Sequence, residues 1–367
     1  MLYSVEFYLC LGTKPILQYL RYKRHLMSAK KILLTIGIAF SIFLITLPLV
    51  SYKYLKTAVK SAAFNHLVTV RGLLKHQIKT YFQERFGDID VLSRNPVIGQ
   101  AFSRLSKAFH ASGLDSDVYI KVSELYQPLM EHYLTDYGYA NVYFIDNDGD
   151  VMYSAVREEF TGTNLATGRY KQFSIGQIYA NGLNGIAFED YTWHEELGEF
   201  TSYFAAPVYD GQMLQGVLVI EIPFSHLDSI MTEREGLGET GEMYLVGDDS
   251  YMRSNSRFSE KATILQKEVD TAATREALDG IVGEKIIKGY RRIPVLSAYT
   301  PLDLKFVNWA LLVEIDEEEA FAAVKTVEKR VTILGSLIAG ITFLFIYLVN
   351  RRKKIVMVAE SLEETET

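Results

Sequence analysis

Phe144-Ile145-Asp146-Asn147-Asp148-Gly149-Asp150-Val151-Met152-Tyr153-Ser154 aligns without gaps, 100 residues on, with Tyr244-Leu245-Val246-Gly247-Asp248-Asp249-Ser250-Tyr251-Met252-Arg253-Ser254. Each stretch runs apolar, then acidic and turn-forming, then apolar again, which is the pattern of a β-hairpin. Asp148-Gly149 is a strong turn signal in the first copy. The likeness returns further on, where Val219-Ile220-Glu221-Ile222 matches Leu312-Val313-Glu314-Ile315, each ahead of a helical stretch. Two similar modules in tandem are implied.

Working outward, the first module has predicted strands at 142–145, 151–155, 185–191, 199–209 and 213–222, with Asp210-Gly211 as the tight turn between the last two. The second has predicted strands at 242–246, 251–254, 282–290, 294–300 and 309–315, and a helix over 268–279. Five strands with helices inserted in the middle is the plan of a PAS-like antiparallel sheet. Ahead of both, Tyr52 to about Leu92 reads as one helix, with Leu67, Val70, Leu74, Ile78, Tyr81 and Phe82 recurring at three and four. Asn95-Pro96 ends it. A second helical stretch runs from Leu125 to Tyr137, and the last helix, Glu317 to Arg330, leads into an apolar run.

Two uncharged apolar runs bracket the modules, Ile32 to Val50 and Val331 to Val349. At about 1.5 Å per residue each is long enough, as a helix, to cross roughly 30 Å of hydrocarbon. Arg21, Lys23, Arg24, Lys30 and Lys31 precede the first, and Arg351, Arg352, Lys353 and Lys354 follow the second. The positive-inside rule therefore places both termini in the cytoplasm and residues 51–330 outside, although Lys53, Lys56, Lys329 and Arg330 weaken the bias. The first run exceeds the usual signal-peptide h-region, and Ser51-Tyr52-Lys53 offers no small-x-small cleavage site, so it reads as an uncleaved anchor. Met27-Ser28-Ala29-Lys30-Lys31 would itself make an ordinary start to such an anchor, which makes residues 1–26 a candidate start-site artefact. A long helix rising from a span is a natural dimer stalk, so a homodimer is expected.

The whole chain carries −7; the leading 31 residues are +5 and the last 18 neutral, which leaves −12 on the external part. That excludes nucleic acid and an anionic membrane surface as its partners. The single cysteine, Cys10, lies in the leader, so the external part has no disulfide and rests on its core. Gly236-x-Gly238-x-x-Gly241 spells a dinucleotide fingerprint, but the glycines follow a helix and open a strand, the reverse of a phosphate loop. They read as linker and turn. Asp146, Asp148 and Asp150 alternate as in a calcium loop, yet Val151 and Arg157 stand where a glycine and a glutamate are needed, so a hairpin turn is expected. The seven histidines show no metal-ligand spacing, and no nucleophile elbow, P-loop or kinase motif occurs. Neither metal nor cofactor nor catalysis is expected.

Span, long helix, two PAS-like modules and span resembles the double Cache sensor domains of bacterial transmembrane receptors. Gly238-Glu239-Thr240-Gly241-Glu242-Met243-Tyr244-Leu245-Val246-Gly247, with Met252-Arg253-Ser254-Asn255-Ser256-Arg257-Phe258, is similar to their membrane-proximal signature. The resemblance implies an α+β chain: a cytoplasmic segment 1–31, a transmembrane helix 32–50, and stalk and distal helices 51–140. A membrane-distal Cache module 141–234, a membrane-proximal one 235–330, a transmembrane helix 331–349 and a cytoplasmic tail 350–367 complete it. It further implies a two-pass inner-membrane receptor of chemotaxis, kinase or cyclase type that binds a small periplasmic or extracellular ligand and works with a cytoplasmic signalling partner. The short tail favours the alternative of a non-signalling anchored module or truncated receptor.

In such domains the ligand site lies in the membrane-distal module. Asp190 is similar in place to the aspartate that binds a ligand amine in amino-acid-sensing members, and Tyr153, Arg157, Arg169, Tyr170 and Tyr203 are candidate lining residues. An amine or amino-acid-like ligand follows. The arginine and Trp-Tyr pair of the amino-acid binders is not matched by Arg169-Tyr170-Lys171, which weakens the amino-acid half of that expectation. Arg253 and Arg257 are expected to form ion pairs within the chain, and no second ligand site is expected beside them.

Overall fold

The computed structural model describes residues 6–156, 160–194, 198–233 and 236–363. Two compact units divide the chain: Ala62–Ala320, and Met1–Ser61 with Phe321–Thr367. Helix α1 (Glu6–Ser93) is followed by α2 (Pro96–Ser112) and α3 (Asp117–Tyr137). The break between α1 and α2 is chemical: the Asn95 side chain accepts from the N–H of Val97, and Pro96 sits where a helix needs no N–H. The first sheet follows as β1 (Asn141–Asp146), β2 (Val151–Ser154), β3 (Ala187–His194), β4 (Glu199–Asp210) and β5 (Met213–Pro223). A 3₁₀ turn (Arg169–Gln172) and α4 (Ser174–Gly182) interrupt it, and α5 (Phe224–Met231) closes it. The second module has β6 (Glu242–Gly247), α6 (Ala272–Leu278), β7 (Gly283–Lys288), β8 (Pro294–Pro301), β9 (Trp309–Asp316) and α7 (Glu317–Ala320); α8 (Ala322–Glu363) follows.

Both sheets are antiparallel, in the orders β2-β1-β5-β4-β3 and β6-β9-β8-β7. Strands send alternate side chains to opposite faces, so each sheet has two different apolar layers. In the first, Tyr143, Ile145, Val151, Ala187, Tyr203, Ala205, Val217 and Val219 face Phe160, Leu165, Tyr170 and the Ile175, Ile178 and Tyr179 side of α4. The other face meets the long helices. Phe102 of α2 stacks on Phe144 at 5.3 Å, and Phe82 and Phe86 of α1 meet Phe188 and Phe204 edge-on at 5.4 and 4.6 Å. Further back along α1, Arg71 donates to the carbonyls of Gly283 and Tyr299 in the second sheet.

The repeat is real, but its register is 101 residues and not 100. Tyr143, Ile145 and Val151 occupy the first core where Tyr244, Val246 and Met252 occupy the second. The turns agree: Asp146 N–H donates to Asp150 O, and Gly247 N–H to Tyr251 O. Gly149 and Ser250, at φ 94° and 66°, are the matching left-handed residues. The expected strand at 251–254 shortens to isolated bridges at Tyr251 and Met252: Arg253 N–H still donates to Leu245 O, but the return bond is lost because Leu245 N–H donates to Ser254 Oγ instead.

The apolar stripe of α1 is covered by its own unit. Leu67, Leu74 and Ile78 are 2%, 5% and 0% exposed. In the other unit, the apolar parts of α1 and α8 are both long and hydrophobic enough to cross a membrane, with a mean hydropathy of 2.2. There Thr342 Oγ1 donates to Ser41 Oγ at 2.9 Å, and Tyr52 to Glu328 at 2.7 Å.

Candidate ligand site

Cross-strand pairing builds a row of polar side chains on the inner face of the first sheet. Glu189 of β3 pairs with Tyr203 of β4, Tyr203 with Glu221 of β5, and Glu221 with Asn141 of β1. Residues paired directly across strands share a face, so all four lie beside the Tyr143, Ala187, Ala205 and Val219 layer that the 3₁₀ turn and α4 cover. Tyr143 OH donates to Glu221 Oε2 at 2.7 Å, and Thr201 Oγ1 to Tyr203 OH at 3.1 Å. Glu189 is half-buried. Burial, reinforced by the charge of Asp190, pushes its carboxyl up to about 7.

The roof is held close. Gly176, in the first turn of α4, leaves no room for a Cβ, which would stand 2.4 Å from the carbonyl of Tyr170. Tyr170 packs edge-on against Phe160 at 5.3 Å, and the Arg169 guanidinium lies 4.4 Å from the Tyr170 ring centre while bonding its hydroxyl. Ser174 and Thr192 share a hydroxyl hydrogen bond of 2.6 Å between α4 and β3.

Three of the predicted site residues, Arg169, Tyr170 and Tyr203, are therefore brought together on this face. Arg157 lies outside the described residues. Tyr153 goes to the opposite face, as the Cα partner of Phe144; its ring lies 5.4 Å from Phe144 and its hydroxyl donates to Gln127 of α3 at 2.7 Å. Asp190 also turns away. Its Oδ2 accepts from Arg253 Nε at 2.9 Å and Trp309 Nε1 at 3.1 Å, both from the second module. Glu189, which the sequence reading passed over, takes the inward place, and strand alternation from Ala187 was the signal that could have found it.

Arg253 forms the ion pairs expected of it. Besides Asp190 it holds both carboxylate oxygens of Asp249 at 2.9 Å and the carbonyl of Tyr251, and it is 5% exposed. A Cβ on Gly247 would meet its guanidinium at 2.5 Å, so the glycine makes the room. This cluster joins β3 of the first module to the turn and β9 of the second.

The glycine-rich segment does cradle an anion, one of its own. Glu319 of α7 accepts from the N–H groups of Glu239 and Thr240 at 2.9 and 2.7 Å, and from the Thr240 hydroxyl. Partial burial works against that carboxylate, but the Thr240 and backbone hydrogen bonds hold its carboxyl below the usual range. Gly236 and Gly238, at φ 78° and 72°, make the turn between α5 and β6. Asp146 is likewise committed to its hairpin: Oδ1 accepts from the N–H groups of Asp148 and Asp150, and Oδ2 meets His110 at 2.8 Å. His110, Asp146 and Asp150 are the one group of metal-ligand type found close together among the described residues.

Comparison with known proteins agrees with this architecture. Among curated proteins no significant match is found. The ligand-binding domain of the Campylobacter jejuni chemoreceptor Tlp3 in complex with 4-methylisoleucine superposes with a TM-score of 0.53 at 13% identity, covering 73% of this chain and 96% of that one. The same domain in complex with L-valine gives 0.50 at 14% identity, over 72% of this chain and 97% of that one. At such identities the likeness is one of fold. The Cache domain family model matches residues 52–324, most of the chain, and the chain belongs to that family, whose domains sense by binding ligands.

Proposed function

We propose that the chain is a two-pass membrane sensor whose first, membrane-distal module binds a small molecule bearing a cationic amine, and whose binding event is passed across the membrane. The observation that carries the ligand class is the Glu189–Tyr203–Glu221 row beneath Tyr170. Two carboxylates among tyrosines, one of them held partly out of water, suit an ammonium group, since a half-buried carboxylate gains most from a partner it can hydrogen-bond. The Campylobacter jejuni domain was captured with amino acids, which carry that group. Transmission is supported by chain order: β9 ends at Asp316 and only α7 separates it from α8. Chemotaxis, kinase and cyclase outputs all fit such a sensor.

A homodimer belongs to this reading. Leu73 and Val91, 67% and 69% exposed, mark the α1 face that its own unit leaves open. Single cysteines there should cross-link two full-length copies.

Calorimetry of the full chain in nanodiscs against amines, amino acids, sugars and dicarboxylates tests the ligand class. Amine-bearing compounds should bind, and Glu189→Gln should weaken them about thirtyfold or more, the lower end for a desolvated charge pair. Binding by dicarboxylates or sugars alone would sink the proposal.

A further inference from the structure

The second sheet repeats the polar row of the first with one telling change. Glu242 of β6, Glu314 of β9, Ser297 of β8 and Lys285 of β7 are successive cross-strand partners. They take the places of Asn141, Glu221, Tyr203 and Glu189. Where the first sheet sets a neutral amide beside its central glutamate, the second sets another glutamate. Both are buried, at 2% and 3% exposure. Like charges directly opposite one another on a sheet repel, and two close carboxylates shielded from water do not both ionise readily.

The surroundings offset the pair's charge only in part. Glu242 accepts from Ser256 Oγ at 2.5 Å and Tyr290 OH at 2.6 Å. Glu314 is faced by Tyr244 and Ser297, whose hydroxyls approach without reaching hydrogen-bonding geometry, and its Oε1 has no partner among the described residues. The nearby cations are engaged elsewhere: Arg291 with Asp316, Arg257 with the carbonyl of Gly241, Lys285 with Glu276, and Lys267 over the Tyr290 ring at 5.6 Å. An unpartnered buried acceptor beside a second carboxylate is satisfied most simply by a proton.

We propose that Glu242 and Glu314 form a proton-binding site, a buried pair that shares one proton and releases it as the pH rises, making the second module a pH input separate from the amine site. The proposal does not depend on the reading of the first module. Burial pushes the Glu314 carboxyl up to about 7; Ser297 and Tyr244 pull it back and the charge of Glu242 adds to the rise. Burial raises Glu242 too, against the hydrogen bonds of Ser256, Tyr290 and the Arg257 backbone and the charge of Arg291, which also acts on Glu314. A folded-state value above the unfolded one means stability present in acid and lost as pH rises through about 7. Release leaves a second charge on β9, the strand that leads through α7 to α8.

Infrared difference spectra of the full chain in nanodiscs, titrated from about pH 5 to about pH 9, test this. The Glu189→Gln background removes the other carboxyl raised to about 7. A protonated-carboxyl band should titrate near neutrality and vanish in Glu314→Gln. In Glu242→Gln, where the repelling charge is gone, its midpoint should fall by about one unit, a tenfold change in proton affinity. No carboxyl titrating above about pH 6, a band that survives Glu314→Gln, or a midpoint unmoved by Glu242→Gln would each overturn the proposal. If Glu314→Gln does not fold, the Glu242→Gln shift decides.

Discussion

Glu189 and Asp190 are adjacent carboxylates on one strand, and the alternation of β3 gives them opposite duties. Asp190 is structural: it completes the partners of Arg253, whose side chain is nearly out of water. Asp190→Asn keeps the size and an acceptor but leaves Arg253 short of charge, so the full chain should lose about 2–3 kcal/mol of unfolding free energy, toward the lower end for a broken buried pair. Chemical denaturation would measure it. Arg253→Ala should cost more, because it also removes the bonds to Asp249 and Tyr251, and adding Asp190→Asn to it should cost little further, since their shared contact is already gone. Glu189→Gln should be nearly silent in that assay. Its carboxyl, raised to about 7, should instead govern ligand binding: an amine stays charged to well above neutrality, so affinity should rise with pH from about 6 to about 8 as Glu189 ionises. Calorimetry at the two pH values should show the rise in wild type and its loss in Glu189→Gln. That β3 offers a carboxylate to the proposed site was legible in the sequence, whereas which of two neighbours faces the α4 layer was not. A one-residue choice reverses every side chain.

At the scale of elements, period and turn chemistry carried most of the reading. The Asp-Gly turns at 148–149 and 210–211, the Asn95-Pro96 stop and all five strands of the first module lie where the sequence places them, within a few residues. The repeat register is where it failed, because the acidic turn residues and the methionines 152 and 252 match best at 100, whereas the faces match at 101. Composition rewarded the wrong frame. The period of α1 likewise identifies a helix with an apolar stripe without saying what covers the stripe. Leu67, Leu74 and Ile78 lie on the helix expected to serve as a dimer stalk and are buried within their own unit. Leu74→Ala should therefore destabilise the monomeric fold by about 2–4 kcal/mol, while Leu73→Ala, one residue earlier and 67% exposed, should stay within about 0.5 kcal/mol. Cysteines at 67, 74 or 78 should lower the unfolding midpoint rather than cross-link. Equal effects at Leu73 and Leu74 would mean that the helix face is misassigned.

For the whole molecule, the decisive feature is the separation of charge along the chain. A sensing part of −12 stands between two uncharged runs, and the basic clusters Arg21 to Lys31 and Arg351 to Lys354 lie on their far sides. Burying even one of those cations in hydrocarbon costs about 2.5–3.5 kcal/mol on insertion scales, and the clusters hold nine between them, so translocating either is strongly disfavoured. The four cations Lys53, Lys56, Lys329 and Arg330 on the near sides are fewer, and they share that side with an acidic domain. That bias is what supports the topology we propose, with both flanks in the cytoplasm and the Cache domain outside. A reporter joined after Thr367 should be active only in the cytoplasm. A second, inserted between Ser112 and Gly113, where α2 ends in an exposed loop and Gly113 at φ 75° leaves the helical path, should be active only outside. Neutralising Arg351, Arg352, Lys353 and Lys354 together should erode that contrast at the C-terminal reporter first, since it removes the bias on the second span alone. If the two reporters instead exchange compartments, the domain faces the cytoplasm and the amine and proton sites would answer to internal ligands.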